Sequence, residues 1–246
     1  MREVFGVPQP LFGRGLNALQ LKLIAFAAMV LDHLAAGLPF FWRPEMQTAY
    51  RLMRGVGRLA FPIFCYFIAV GAVKTKNRWN YLLRLGLLAL LCEAPFDLMG
   101  WGRFPVWGYQ NTIMTLFLGL LAITLFEAAL KRFPQGAGAL LAPAALLLCL
   151  GAAHFLKVDY GVPGVLLTLG FYFWQTALAD LPCTPFLLMI MMAALWIHNP
   201  SQLISLLAFF LIFLYNGSLG KACPRYLFYA GYLGQLIVIA GMRLLL

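Results

Sequence analysis

The stretch LIAFAAMVLDHLAAGLPFF, residues 23–41, is apolar along almost its whole length. It is long enough to cross a bilayer, because a spanning helix needs about 20 mainly apolar residues. The whole chain has the same character, since 63% of its 246 residues are hydrophobic and only 11% are charged. Soluble domains are roughly half apolar and one quarter charged. The sequence therefore predicts an all-α, polytopic transmembrane helix bundle.

Further apolar runs of similar length follow the first one. Together they predict nine spanning helices, near residues 19–38, 56–73, 80–98, 109–130, 137–153, 161–179, 182–197, 200–215 and 226–245. No stretch remains that could fold as a separate soluble domain, so we predict a single domain over residues 1–246. The first run has no small-x-small cleavage site after a short apolar region, so we expect it to be a retained helix.

The net charge of +10 comes from basic residues that lie between the apolar runs. Topology signals and contacts with membrane lipids account for basic residues in such places, so no nucleic-acid partner is expected. With nine spans, most of the Lys and Arg residues fall on the amino-terminal side: Arg2, Arg14, Lys22, Lys74, Lys76, Arg78, Arg84, Lys131, Arg132, Lys221 and Arg225. The positive-inside rule then predicts a cytoplasmic amino terminus.

Asp32 and His33 stand side by side in the opening stretch. An ionisable group at membrane depth costs at least a few kcal/mol and normally faces a partner or a watery cavity. Adjacent helical residues point about 100° apart, so the two side chains can line one cavity but are poorly placed to bond each other. We predict that His33 is a proton acceptor or nucleophile, because an imidazole suits general base chemistry at neutral pH. The alternative is a structural interfacial histidine beside a paired aspartate.

Other polar residues are predicted near the same membrane face as His33. At about 1.5 Å per residue, His33 lies roughly 21 Å along a helix that starts at Leu19, close to the outer boundary. The same arithmetic places there Arg54, Arg58, Asp97, Asn111, Thr112, Asp159, Tyr160 and His198. Polar groups from separate parts of the chain that converge on one end of a bundle indicate a site.

Arg51, Arg54 and Arg58 have the spacing of a single helical stripe. Such a stripe at a membrane boundary can anchor the protein to lipid phosphate. It can equally hold a phosphate or carboxylate ligand, or neutralise Asp32 or Asp97. The residues alone leave these alternatives open.

Glu93 and Asp97 are four residues apart in a helix that we expect to be broken at Pro95. The two carboxylates are interpreted either as part of a proton or cation path or as the counter-charges of Arg54 and Arg58. No metal site is predicted, because His33, His154 and His198 are too far apart in sequence to form an obvious ligand set. The five cysteines, Cys65, Cys92, Cys149, Cys183 and Cys223, are scattered and indicate neither disulfides nor a metal cluster.

Read together, the motifs resemble the TraX family of integral membrane proteins, named for the enzyme that acetylates the amino terminus of conjugative pilin. The matching segments are LKLIAFAAMVLDH (21–33), RGVGRLAFPIF (54–64), NRWNYLLRL (77–85), PFD (95–97), NTIMTLFLGLL (111–121), DYGVPGVLL (159–167) and YNG (215–217). Their order and spacing match as well as their content. The resemblance covers most of the chain.

This resemblance implies a transferase that takes an acetyl group from acetyl-CoA, with no metal. It gives His33 the catalytic place, with Asp32 in support, and assigns Arg54 and Arg58 to the acyl donor or to charge balance. The residues implied to line the acceptor cavity are Asp97, Asn111, Asp159 and Tyr160. Many family members carry a Pro-x-His in the last helix, where this chain has Leu233 and Gln235.

The acceptor implied is an amine or hydroxyl at the membrane surface, on a protein, a glycan or a lipid. Because acetyl-CoA is cytosolic, we expect a channel for its pantetheine arm, with the nucleotide held at Lys74, Lys76, Arg78 or Arg132. Two alternatives of other classes are a small proton-coupled transporter and a lipid-binding assembly protein of the envelope. The halves of the chain show no clear self-similarity, which disfavours transport.

Overall fold

The computed structural model describes residues 15–221 and 226–246. Arg2, Arg14, Cys223 and Arg225 lie outside the described residues. The regular structure of the described part is helical, with α1 Ala18–Gly37, α2 Gln47–Gly57, α3 Ala60–Lys74, α4 Arg78–Trp101, α5 Thr112–Arg132, α6 Gln135–Phe155, α7 Gly161–Trp174, α8 Thr184–Leu195, α9 Pro200–Leu203, α10 Ala208–Phe213 and α11 Leu227–Leu245. Short 3-10 turns occur at Pro39–Trp42, Pro44–Met46 and Ile204–Leu207.

Among the described residues, five helical stretches are long and apolar enough to cross a membrane: Ala18–Gly37, Pro44–Lys74, Thr112–Arg132, Gln135–Phe155 and Leu227–Leu245. Three shorter apolar helical segments accompany them: Gly161–Trp174, Thr184–Leu195 and Pro200–Phe213. The predicted all-α membrane bundle is confirmed, and the number of nine spans stays a prediction.

The bundle has two ends, which we name the Lys74 end and the His33 end. The Lys74 end contains the starts of α1, α4 and α11 and the carboxyl-terminal ends of α3 and α5. Contacts between helices fix these directions: Arg78 at the start of α4 pairs with Glu127 near the end of α5. Arg243 near the end of α11 donates hydrogen bonds to the carbonyls of Met99 and Gly100 near the end of α4.

In the described part of the chain, three helices begin with an asparagine whose side chain caps the first turn. The side chains of Asn17, Asn77 and Asn111 each accept a hydrogen bond from the backbone N–H three residues later, at the starts of α1, α4 and α5. An asparagine at this position satisfies a backbone donor that has no partner within the helix. The first cap is reciprocal, because the side chain of Gln20 accepts from the backbone N–H of Asn17.

Two sequence predictions about helix boundaries were wrong. The predicted span 56–73 divides into α2 and α3, and the apolar stretch that contains them starts at Pro44. The expected break at Pro95 is absent, because α4 continues through this residue to Trp101. Proline removes one backbone hydrogen bond, but a helix packed in a bundle can retain its other bonds and its direction.

Candidate functional site

Asp32 on α1 forms an ion pair with Arg54 on α2, in which Nη1 of Arg54 lies 2.6 Å from Oδ2 of Asp32. The two side chains are 14% and 26% exposed. Arg58 and Asp159 lie within electrostatic range of the same carboxylate. A carboxylate at this depth is tolerated because a guanidinium compensates its charge.

Gly57 allows α2 to approach Asp32 this closely. A Cβ atom at position 57 would lie 2.2 Å from Cβ of Asp32 and 2.6 Å from its Oδ1. No side chain fits at that distance, so the absence of a side chain at Gly57 is a condition for the pairing of α1 and α2.

His33 is buried and contacts α11. The side-chain amide of Gln235 lies within hydrogen-bonding distance of Nδ1 of His33. The ring of Tyr232 packs edge-on against the imidazole, with 6.0 Å between ring centroids. The imidazole is thus held on one side by an amide and on another by an aromatic ring, which fixes its orientation.

Asp159, in the connection between α6 and α7, accepts hydrogen bonds from the hydroxyls of Tyr109 and Thr112. Burial raises the pKa of the Tyr109 phenol, and the nearby Asp159 carboxylate raises it further. Tyr109 therefore stays protonated and donates to Asp159 over the neutral pH range. These bonds join the α4–α5 and α6–α7 connections at the His33 end.

Tyr160 and Arg58 complete the polar group around Asp32. The ring of Tyr160 is stacked on that of Phe61, with centroids 3.5 Å apart. Its hydroxyl lies within hydrogen-bonding range of the Arg58 side chain. The structure therefore brings together six of the residues that the sequence proposed for the site: Asp32, His33, Arg54, Arg58, Asp159 and Tyr160.

Asn111, Glu93 and Asp97 have structural partners of their own. The fully buried amide of Asn111 donates to the carbonyl of Ala89 and to the Glu93 carboxylate. Asp97 accepts from the backbone N–H of Val106 at 2.7 Å and so holds the connection after α4. The interpretation of Glu93 and Asp97 as counter-charges was wrong for Arg54, because its ion-pair partner is Asp32.

The predicted nucleotide-binding cations lie at the Lys74 end. Arg78 is already engaged there, since Nη1 is 2.8 Å from Oε2 of Glu127 and Nε donates to the carbonyl of Ala72. Lys131 and the hydroxyl of Tyr172 bind the same carboxylate. Lys74, Lys76 and Arg132 are exposed.

Sequence reasoning did not assign Gln235, Tyr232 and Tyr109 to the site. Tyr232 is 4% exposed and faces into the bundle. Its spacing of four residues from Phe228 and three from Gln235 is the signal that places all three on one side of α11. Within residues 15–221 and 226–246, no group of three or more His, Cys, Asp or Glu side chains is arranged to hold a metal ion.

Comparison with known proteins gives two matches. A family model described as TraX protein matches residues 18–243. A relative named "Probable fimbrial assembly protein FimC, serogroup H1", from Dichelobacter nodosus, is 30% identical over 122 residues. That alignment covers 47% of this chain and 48% of the relative, so the chain spans about half the length of the curated relative that it matches. No solved structure matches the chain.

Proposed function

Because the chain belongs to the TraX family, we propose that it is a membrane acetyltransferase of the bacterial inner membrane. It moves an acetyl group from acetyl-CoA to an amine or hydroxyl at the His33 end, and its amino terminus is cytoplasmic. The acceptor that fits the fimbrial relative is the amino terminus of a pilin subunit. The observation that carries the proposal is the buried His33, held by Gln235 beside the Asp32–Arg54 ion pair.

In the proposed reaction, His33 takes a proton from the acceptor while the acceptor nitrogen or oxygen attacks the thioester carbonyl. A bond from the carbonyl carbon to the acceptor forms, the carbon–sulfur bond breaks, and the imidazolium returns its proton to the leaving thiolate. An alternative uses His33 as the nucleophile, which carries the acetyl group before the acceptor takes it. Both routes need one imidazole nitrogen to be unprotonated at the start.

Asp32 and Arg54 position His33 and balance the charge around it. When His33 becomes an imidazolium, the adjacent carboxylate stabilises the new positive charge, and Arg54 favours the ionised form of that carboxylate. Arg58, Asp159 and Tyr160 supply further polar groups for the acceptor. The phosphates of acetyl-CoA stay among the basic residues of the Lys74 end, because they cannot cross the apolar interior at low cost.

The test is acetyl transfer from radiolabelled acetyl-CoA to purified pilin by protein in nanodiscs, normalised to folded protein. His33→Ala should lower turnover by about 10²–10⁴, the usual size of a general acid–base contribution. His33→Gln should be equally impaired, because an amide keeps hydrogen bonding but is not a base. The matched control is His154→Gln, which changes an exposed histidine and should leave turnover unaltered.

A non-catalytic role in pilus assembly is the second candidate, favoured by the name of the fimbrial relative. It predicts that the wild-type protein transfers no acetyl group and that pilin from cells has an unmodified amino terminus. It also predicts that His33→Gln supports normal piliation. Mass spectrometry of pilin from wild-type and His33→Gln cells separates the two functions.

A further inference from the structure

A cavity of about 180 Å³ lies between α1, α3, α4, α5 and α11. Lys22, Tyr81 and Phe228 line it near the Lys74 end, within the first turns of α1, α4 and α11. Thr112 and Tyr232 line it toward the His33 end. The cavity therefore extends between the basic end of the bundle and the candidate site, and we name it the Lys22 cavity.

One face of α1 connects the Lys22 cavity with His33. Lys22, Phe26 and Met29 line the cavity at a spacing of four and three residues, and His33 follows four residues after Met29. From Lys22 to His33 the helix rises about 16 Å. The Tyr232 side chain that contacts His33 also lines the cavity. A ligand in the cavity would therefore end beside the imidazole.

The charges at the Lys74 end of the cavity are positive. The ammonium of Lys22 lies over the ring of Phe67, 4.8 Å from its centroid. The Arg84 guanidinium lies 6.0 Å from the ring centroid of Tyr81 and within hydrogen-bonding range of Tyr229, both of which line the cavity. These cations favour a ligand that keeps an anionic group at the Lys74 end and extends a long, uncharged arm into the cavity.

Tyr232 gives the other end of the cavity a hydrogen-bond donor. Its hydroxyl is buried close to Thr112, but it makes no hydrogen bond of normal geometry with the described residues. A buried hydroxyl without a partner is costly and is normally satisfied by a ligand or water. A carbonyl oxygen would satisfy it, whereas the methyl end of a lipid chain would not.

The size of the cavity limits the occupant to a slender chain. Pockets for drug-sized ligands measure about 300–1,000 Å³, so the Lys22 cavity is too small for a nucleotide. It suits a narrow arm whose bulky, charged part remains outside. The cavity combines cations at its Lys74 end, apolar walls and the Tyr232 hydroxyl as a hydrogen-bond donor toward its His33 end. This combination matches a phosphorylated thioester better than a phospholipid.

We propose that the Lys22 cavity holds the pantetheine arm of acetyl-CoA, with the phosphates near Lys22 and Arg84 and the thioester carbonyl hydrogen-bonded to Tyr232. This inference rests on the proposed acetyl transfer and adds the route of the donor and a role for Tyr232. As the acceptor attacks, the carbonyl oxygen gains negative charge and the Tyr232 O–H stabilises it. The same electron pair returns to re-form the carbonyl when the carbon–sulfur bond breaks.

The first test blocks the cavity. Leu85 lines it and is 2% exposed, whereas Leu87 on the same helix is 52% exposed to the outside of the bundle. Leu85→Trp should raise the Kd for acetyl-CoA by more than about tenfold, because the indole takes the volume that the arm needs. Leu87→Trp should bind acetyl-CoA like the wild type. Equal affinities in all three folded proteins would overturn the proposal.

The second test does not require that the Leu85→Trp variant, with its filled cavity, still folds. Met29→Cys, in a background with Cys183 and Cys223 replaced by Ser, is treated with the mixed disulfide of CoA and 2-thiopyridine. Thiol exchange forms a protein–S–S–CoA bond and releases thiopyridone, so the protein gains the mass of CoA. Ala27→Cys, on the exposed side of α1, is the control and should remain unmodified. Labelling of Ala27→Cys but not of Met29→Cys contradicts the assignment.

The third test examines the two ends of the bound arm. Tyr232→Phe should lower kcat by about 10²–10³, the usual effect of losing one donor to a developing oxyanion, with little change in the Kd for acetyl-CoA. Arg84→Gln should raise that Kd by about three- to tenfold, since it removes a charge-assisted contact. Arg103→Gln removes an exposed charge from the connection after α4, at the opposite end of the bundle, and should have little effect.

These outcomes separate failure of the inference from failure of the proposed function. If the wild type transfers acetyl groups while Leu85→Trp and Tyr232→Phe do so equally well, the function stands and the cavity assignment falls. If the wild type neither binds acetyl-CoA nor transfers acetyl groups, both fall. A phospholipid retained by the wild type and lost from Leu85→Trp, with unchanged acetyl-CoA binding, would identify the cavity as a lipid site instead.

Discussion

Gln235 on α11 places its side-chain amide 2.5 Å from Nδ1 of His33 on α1, 202 residues earlier in the chain. The amide carbonyl oxygen of Gln235 is buried without a hydrogen-bond partner. If the amide is rotated by 180°, so that its oxygen and nitrogen exchange places, this oxygen accepts the Nδ1–H of His33. The lone pair of the imidazole then lies on Nε2. A base needs that lone pair, so Gln235 is a positioning residue in the proposed reaction.

Gln235→Leu removes the hydrogen bond and should lower kcat by about tenfold, since the imidazole is no longer held in one tautomer. The KM for acetyl-CoA should change little. Gln235→Glu retains an acceptor for Nδ1–H and should recover most of the activity, with a shifted pH–rate profile. If Gln235→Leu lowers only the amount of folded protein, Gln235 has a packing role alone.

Gly57→Ala is expected to disrupt the pairing of α1 and α2, because its Cβ would overlap Asp32. Overpacking of this kind costs about 1–3 kcal/mol, although alanine is otherwise the better helix former. Gly55→Ala is a matched control on the same helix, where the nearest atom is the end of the Ile204 side chain at 3.3 Å. Thermal unfolding in detergent should show a lower Tm for Gly57→Ala only. A Tm for Gly57→Ala at or above that of Gly55→Ala would contradict the close approach.

Tyr109→Phe removes one of the two hydroxyl donors to Asp159. Loss of a hydrogen bond to a charged group costs about 1.5–3 kcal/mol, so we expect a lower Tm and reduced acetyl transfer. Tyr226→Phe serves as the control, because Tyr226 is 61% exposed at the Lys74 end. Equal stability of the two variants would show that Asp159 does not depend on Tyr109.

The orientation in the membrane can be tested with single cysteines, again with Cys183 and Cys223 replaced by Ser. A cytoplasmic amino terminus predicts that a membrane-impermeant maleimide labels Gly108→Cys in cells with a permeabilised outer membrane but not Lys76→Cys. Gly108 is suitable because no atom lies within 4 Å of its added Cβ, whereas Gly102 has a φ of +69° that disfavours a side chain. The reverse labelling pattern would place the His33 end in the cytoplasm.

The sequence alone was sufficient to predict a helical membrane bundle, because every backbone polar group in lipid must be satisfied and long apolar runs can do so only as helices. It also predicted that Asp32, His33, Arg54, Arg58, Asp159 and Tyr160 lie at one end, since successive helices alternate in direction. This part of the prediction needs only the lengths of the runs and the rise per residue.

Which side chains meet depends on how the helices pack against one another. The period of a helix fixes the relative directions of residues within that helix, but not its rotation about its axis or its neighbours. Packing settles both, and here the missing side chain of Gly57 lets α2 place Arg54 on Asp32. Packing of α11 against α1 likewise joins Gln235 to His33. The helical period therefore could not predict the partners of the buried charges, because each pairing depends on contact between different helices.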